Sequence, residues 1–201
     1  MTALPRLYAI ADASFGDPVR LAEALFAGGA RLIQVRNKTG SSRELHGQVE
    51  AILRMAPSDA RVIVNDRADV AMITNASGVH LGQSDLPVHA ARGILGESAL
   101  IGLSTHSLEQ ALDADRESVD YIAVGPIFPT QTKANPDRVL GLSTLRTICS
   151  SVAKPVVAIG GIRLEMIRDI FDCGAASIAV ISDLLCSSDV AERTKVWVRS
   201  V

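Results

Sequence analysis

The sequence predicts an α/β fold: a single (β/α)8 TIM barrel spanning residues 1–201. Short aliphatic runs recur at a mean spacing of about 25 residues, the length of a strand, a helix and two tight loops. Hydrophobic residues make up 48% of the chain but aromatic residues only 3%, which suits buried parallel strands covered by helices. The predicted strands are 7–11, 32–35, 62–64, 78–81, 100–103, 121–124, 155–159 and 177–181.

Helical signals occupy the intervals between these runs. Apolar residues between 41 and 55 fall at helical spacing, and several segments begin with a capping signal. The capping signals are Asp17 with Pro18, Ser41 with Glu44, and Ser107 with Gln110. An open doubly wound sheet is the alternative, but no G-x-G-x-x-G follows the first strand and no P-loop is present.

The composition limits the kinds of partner that the protein can bind. Twenty Lys and Arg against 22 Asp and Glu give a formal charge of −2, so no general basic field is available for nucleic acid or an anionic membrane. Cys149, Cys173 and Cys186 are odd in number and lack zinc spacing, which is typical of reduced core residues in a cytoplasmic protein. No signal peptide or membrane span is indicated. We expect small-molecule substrates, and a homo-oligomer is left open.

The second predicted strand ends in Gln34, Arg36 and Lys38. Alternate residues leaving a strand point the same way, so all three can converge on one ligand. An Arg and a Lys without a nearby acid suit a phosphorylated substrate. The alternative is a solvated basic strand end.

The third and fourth strands are followed by Asn65, Asp66 and Asp85. Neighbouring parallel strands lie about 4.8 Å apart, so two carboxylates on adjacent loops can reach one cation. Two acids without His or Cys ligands match Mg²⁺, which takes its remaining ligands from water and phosphate. In the alternative interpretation, each aspartate caps the helix that follows it.

The loop after the sixth strand holds Thr130, Thr132 and Lys133, with Pro126 and Pro129 restricting its backbone. Restricted loops lose less entropy when they close on a ligand. The segment is long enough to act as a lid. The alternative is a disordered connector.

The other strand ends add hydroxyls and glycines. Ser104 either faces a substrate or starts a helix, while His106 and His80 are interpreted as structural. The last two strands end in AIGGI (158–162) and AVIS (179–182), where Gly161 and Ser182 fit the phosphate site common in barrels. The absence of a nucleophile–base pair favours chemistry driven by leaving-group stabilisation.

Together these motifs resemble the thiamine phosphate synthase family. QVRNK (34–38), VND (64–66), HLGQSD (80–85) and GPIFPTQTK (125–133) are similar to its segments, in order, over roughly residues 6 to 185. The resemblance implies a cytoplasmic, Mg²⁺-dependent enzyme. It would join a pyrimidine methyl diphosphate to a thiazole phosphate, releasing pyrophosphate and thiamine monophosphate.

The resemblance also implies residue roles, with Arg36, Lys38 and Lys133 as catalytic cations and Asp66 and Asp85 as Mg²⁺ ligands. The residues implied to hold the pyrimidine diphosphate are Gln34, Arg36, Lys38, Asn65, Ser104 and Lys133. Those implied to hold the thiazole phosphate are Thr130, Thr132, Gly161, Ile181 and Ser182.

The chain departs from the family pattern at Asn37, where an acid is usual, and at Ala11, where a threonine is usual. The alternative functions are a thiazole tautomerase-like isomerase and a non-catalytic binder of a thiamine precursor. The Asp66 position and the P-T-x-T-K loop argue against the isomerase, and the metal and lysine positions argue against the binder.

Overall fold

The computed structural model describes residues 4–130 and 138–201, and in this part of the chain eight parallel strands close into a barrel. The last strand returns to the first, with Ala179 opposite Tyr8. The predicted barrel is therefore confirmed. The strands are β1 (Leu7–Asp12), β2 (Leu32–Arg36), β3 (Arg61–Asn65), β4 (Gly78–Leu81), β5 (Leu100–Thr105), β6 (Tyr121–Val124), β7 (Val156–Ile159) and β8 (Ser177–Val180).

Each strand is followed by a helix, and one further helix closes the described chain. Predicted and observed strand ends differ by two residues at most, the larger difference being the end of β5 at Thr105. The helices are α1 (Pro18–Ala27), α2 (Ser42–Met55), α3 (Ala68–Thr74), α4 (Val88–Leu95), α5 (Leu108–Arg116), α6 (Gly141–Ser151), α7 (Ile167–Asp172), α8 (Ser182–Leu185) and α9 (Val190–Ser200).

The capping signals act as the sequence predicts, with one difference. Ser41 and Glu44 form a complete capping box at α2. Ser107 accepts from the Gln110 backbone, but the Gln110 side chain accepts from His106 N at 2.7 Å. The second predicted box is therefore only half formed, because the glutamine satisfies the N–H one residue earlier.

Alternation along the strands divides the core into two layers. Residues such as Ile33 and Val35 face outward and pack under the helices in the larger cluster. Their neighbours face the barrel axis, where Tyr8, Leu32 and Tyr121 belong to a smaller apolar cluster. Because side chains alternate, the inward-facing positions continue from this cluster to the strand ends. The polar residues at those ends therefore share one cavity mouth.

The described cysteines form no disulfide. Cys173 is buried and Cys149 is partly buried, and burial raises the pKa of the Cys149 thiol to about 11. Cys186 is exposed just after α8, so the prediction that all three are core residues is wrong for Cys186. Among the described helices, none is both long and apolar enough to cross a membrane.

Candidate active site

A cavity of about 380 Å³ opens at the carboxyl ends of the strands. This volume lies within the range typical of sites for small ligands. Among the predicted site residues, those that line the cavity are Gln34, Arg36, Lys38, Asn65, Asp66, Asp85, Ser104, Thr130, Gly161, Ile181 and Ser182. The predicted residues Thr132 and Lys133 lie outside the described part of the chain.

Asp66 and Asp85 meet at one side of this cavity. Their carboxyl groups are in hydrogen-bonding contact, and Asp85 also accepts from Gly82 N at 2.7 Å. Desolvation by burial raises the pKa of Asp85, and the contact and negative charge of Asp66 add to the increase. A cation bound between the two acids would offset this cost.

The capping alternative fails for both aspartates. The residues before α3 and α4 are Arg67 and Pro87, and neither helix start has a side-chain capping bond. Asp66 instead adopts a left-handed backbone conformation, with φ of 64°, which Asp tolerates better than most residues. Its N–H donates to the His80 carbonyl at 2.8 Å, so Asp66 is fixed where β3 and β4 end.

Each basic residue of the predicted pair has an acidic partner, which corrects the expectation that no acid is near. Arg36 forms an ion pair with the buried Asp12, and Lys38 Nζ lies 2.7 Å from Asp66 Oδ2. Asp12 also accepts from Ser14 N at 2.9 Å and from Ser14 Oγ at 2.7 Å. Asp12 therefore holds the Arg36 guanidinium in place. The half-exposed Lys38 ammonium instead contacts Asp66, which in turn contacts Asp85.

The sequence motifs did not indicate Asp12 as the partner of Arg36. The strand register places Asp12 directly beside Arg36 on the neighbouring strand. The signal that could have found it is the rule already applied to other strands, that polar residues at neighbouring strand ends converge.

The two departures from the family pattern lie away from the cavity. Asn37 donates to Gln48 Oε1 at 3.1 Å and accepts from Gly40 N at 2.8 Å, so its side chain closes the turn into α2. Ala11 is buried in the outer apolar layer. Arg36 and Lys38 are oriented by aspartates, so Asn37 is not required to orient them.

Gln34 and Ser104 lie deeper in the cavity. Gln34 is 3% exposed, and its Nε2 donates to Tyr8 Oη at 2.9 Å. Ser104 Oγ lies 2.8 Å from His80 Nε2. His80 is buried and hydrogen-bonded, as the sequence predicts, but it also lines the cavity. His106 lines it too, and its Nδ1–H donates to the Gly125 carbonyl at 2.6 Å.

The glycines after β7 allow close packing of two loops. Gly160 and Gly161 have φ values of 101° and 65°, and a Cβ on Gly161 would lie 2.4 Å from Pro129 O. A side chain at Gly161 would therefore push away the loop that carries Thr130. The predicted contact of Gly161 with a phosphate stays a prediction, while the packing gives a second reason for glycine.

Ser182 begins α8, which is fixed to α9 by the side chain of Asp183. This carboxylate accepts from Arg193 Nη2 at 2.8 Å and from the indole N–H of Trp197 at 2.6 Å. Trp197 is fully buried. Ile181 and Ser182 are thus presented to the cavity from a rigid support.

The donor set at the acid pair suits Mg²⁺. The described residues hold no group of three or more His, Cys, Asp and Glu side chains that could enclose a metal. Two carboxylates at a cavity mouth leave several ligand positions for water and phosphate oxygens, the arrangement that Mg²⁺ prefers. The residues present therefore fit the ion.

A closed barrel with acids and bases gathered in a cavity at the carboxyl ends of its strands has the architecture of a (β/α)8 barrel enzyme. A family model described as thiamine monophosphate synthase matches residues 7–184. The chain belongs to that family, and the family resemblance is confirmed.

Individual relatives agree with this assignment. The chain is 47% identical over 189 residues to a thiamine-phosphate synthase of Koribacter versatilis, covering 90% of each chain. It is 46% identical over 179 residues to one of Chlorobium phaeovibrioides, covering 89% of this chain and 85% of the relative. A solved thiamine phosphate pyrophosphorylase from Pyrococcus furiosus superposes with a TM-score of 0.90 at 37% identity, covering 98% of this chain and 95% of the other.

Proposed function

We propose that the chain is a Mg²⁺-dependent thiamine phosphate synthase. It would condense 4-amino-2-methyl-5-(diphosphomethyl)pyrimidine with a thiazole phosphate to give thiamine monophosphate and pyrophosphate. The observation that carries this proposal is the contact of Asp66 with Asp85 beside Lys38, at the mouth of a cavity that Arg36 also lines. Membership of the thiamine monophosphate synthase family supports the same substrates.

Arg36, Lys38 and Lys133 are proposed to bind the diphosphate and to neutralise the charge that develops as it leaves. Arg36 suits this role because its ion pair with buried Asp12 holds the guanidinium in one orientation before a ligand arrives. Lys38 is half-exposed and can turn from Asp66 toward a phosphate. Lys133 is assigned from the sequence motif alone.

Asp66 and Asp85 are proposed to hold the Mg²⁺. Bound there, the ion would neutralise charge on the departing diphosphate oxygens. Burial of Asp85, and then its contact with Asp66, raise the pKa of Asp85, and a cation between the two acids would offset both costs, which supports this assignment.

The two substrates are proposed to bind over opposite sides of the same cavity. Gln34, Asn65 and Ser104 would hold the pyrimidine, whereas Thr130, Thr132, Gly161, Ile181 and Ser182 would hold the thiazole phosphate. Cleavage of the bond between the methylene carbon and the diphosphate oxygen leaves a cation, which the thiazole nitrogen attacks. Ile10, Ala123 and Ala179 line the same cavity. This apolar surface would exclude water that could capture the cation.

We further propose that residues 1–201 act as one catalytic domain in the cytoplasm, as free cysteines in the described chain are typical of that compartment.

The proposed reaction is tested by incubating the protein with both substrates and measuring pyrophosphate and thiamine monophosphate. We expect equal amounts of the two products with Mg²⁺, no reaction in excess chelator, and recovery when Mg²⁺ is restored. Isomerised thiazole phosphate without pyrophosphate would indicate a tautomerase. Tight binding of a precursor without any product would indicate a binding protein.

A further inference from the structure

A chain of hydrogen bonds, buried except for the partly buried bond to Ser104, crosses the inside of the barrel at the base of the cavity. Gln34 Nε2 donates to Tyr8 Oη at 2.9 Å, and Tyr8 Oη lies 2.9 Å from Tyr121 Oη. Tyr121 Oη lies 3.0 Å from His80 Nδ1, and His80 Nε2 lies 2.8 Å from Ser104 Oγ. We call these five side chains the relay. Its two ends, Gln34 and Ser104, line the cavity.

The relay is surrounded by apolar side chains. Both tyrosines belong to the inner cluster, together with Leu32, Ile63 and Val157. Tyr8 is 1% exposed and Tyr121 is fully buried. Burial raises the pKa of both phenols above the ordinary tyrosine range, so each hydroxyl keeps its proton and can donate once.

The barrel makes room for this arrangement at Gly102. A Cβ there would lie 2.0 Å from the Cζ atom of Tyr121 and 2.4 Å from its Oη. Any side chain at residue 102 would therefore displace the phenol from the centre of the relay. The His80 ring stacks on the Tyr121 ring, with centroids 5.6 Å apart, which fixes the imidazole as well.

Protons in such a chain must all run in one direction. With Gln34 Nε2 as the donor to Tyr8, giving every buried hydroxyl an acceptor assigns the Tyr8 proton to Tyr121 and the Tyr121 proton to His80 Nδ1. The remaining proton of His80 is then on Nε2 and donates to Ser104 Oγ. Reversing one bond alone would leave a buried donor facing another donor, which an apolar interior strongly disfavours.

This order gives the two ends opposite hydrogen-bonding character. One N–H of the Gln34 amide donates to Tyr8, and the carbonyl oxygen of the same amide is available to accept from a ligand. Ser104 Oγ already accepts from His80, so its own proton remains to be donated.

We propose that the relay determines specificity at the ring-binding part of the cavity, by holding Gln34 as an acceptor and Ser104 as a donor. Tyr8, Tyr121 and His80 are then positioning residues that act through those two. The matching ligand is a heterocycle with an exocyclic amino group to donate and an unprotonated ring nitrogen to accept. An oxo analogue would place a carbonyl acceptor against the Gln34 acceptor and a protonated ring nitrogen, a donor, against the Ser104 donor. The choice of an aminopyrimidine rests on the proposed function.

The test compares the aminopyrimidine methyl diphosphate with its oxo analogue in wild type, Tyr8→Phe, Tyr121→Phe and the double variant. We expect wild type to favour the amino substrate in kcat/KM by at least about 100-fold. Each single variant should reduce that preference by about 10-fold or more. The double variant should resemble the singles, because one break already disconnects the chain. KM for the thiazole phosphate should stay unchanged in all of them.

Circular dichroism and thermal unfolding establish that each variant is folded. An unchanged preference in folded variants, additive effects of the two changes, or a wild-type preference for the oxo analogue would overturn the relay. If wild type makes no product, the proposed function fails while the relay is still testable. Calorimetry then measures binding of the free aminopyrimidine and of its oxo counterpart. Wild type must bind the aminopyrimidine more tightly, and Tyr121→Phe must lose this preference.

Discussion

Replacing Asp85 by Asn is expected to lower pyrophosphate release by about 10²–10³-fold while thiazole phosphate still binds. Asparagine keeps the size of the side chain and can still accept from Gly82 N. It removes one of the two negative charges that meet at the cavity mouth. The loss should therefore be in kcat and in the Mg²⁺ dependence. The measurement is the initial rate of pyrophosphate release over a Mg²⁺ titration.

The same change should not destabilise the fold in the absence of Mg²⁺. Because the pKa of Asp85 is raised, the native state holds the proton more tightly than the unfolded state. Ionised Asp85 therefore lowers stability at neutral pH, and a neutral asparagine removes that cost. The melting temperature without metal should equal or exceed that of wild type.

Asp69→Asn is the matched control for Asp85→Asn. Asp69 lies on α3 and pairs with Arg67 outside the cavity. Its loss should change turnover by less than about twofold, as is usual for an exposed ion pair. Full activity of Asp85→Asn over the whole Mg²⁺ range would show that the acid pair is not the metal site.

Arg36→Gln is expected to lower kcat/KM by about 10²-fold or more and to destabilise the fold by about 2 kcal/mol. The activity falls because a fixed guanidinium for the diphosphate is lost. The stability falls because Asp12, which is 2% exposed, loses the cation that it is paired with. Steady-state kinetics and chemical unfolding measure the two effects separately.

Two further variants separate these effects. Asp12→Asn combined with Arg36→Gln removes both charges, so stability should return toward wild type while activity stays low. Arg92→Gln breaks another partly buried pair, with Asp120, on α4 away from the cavity. It should destabilise the fold while kcat/KM stays near wild type. A double variant with restored activity would remove Arg36 from the reaction.

The fold could be predicted from sequence because each strand is a short aliphatic run and several helices, among them α1, α2 and α5, begin with local capping chemistry. Such signals depend only on residues that are close in sequence, so they can be recognised without knowledge of the tertiary structure. β4 and β6 have the predicted bounds, whereas β5 continues to Thr105. That difference arises because Ser104 and Thr105 stay in register with β6 although they are polar.

The candidate site was predictable in part for the same reason. Polar residues at the ends of parallel strands converge, so the meeting of Asp66 with Asp85 follows from the order of the strands. The pairing of Arg36 with Asp12 follows the same rule, because their strands are neighbours. The contact between Tyr8 and Tyr121 could not be predicted in this way, because it depends on register and on barrel closure, which join residues 113 positions apart.

In the proposed reaction, Asp66 and Asp85 share one divalent ion with the departing diphosphate. The most direct measurement is an anomalous difference map from a crystal of the protein grown with Mn²⁺ and inorganic pyrophosphate. We predict one strong peak bound by a carboxylate oxygen of each aspartate, with the pyrophosphate against it and within reach of Arg36. A Mn²⁺–pyrophosphate complex elsewhere, with no peak between Asp66 and Asp85, would contradict the account.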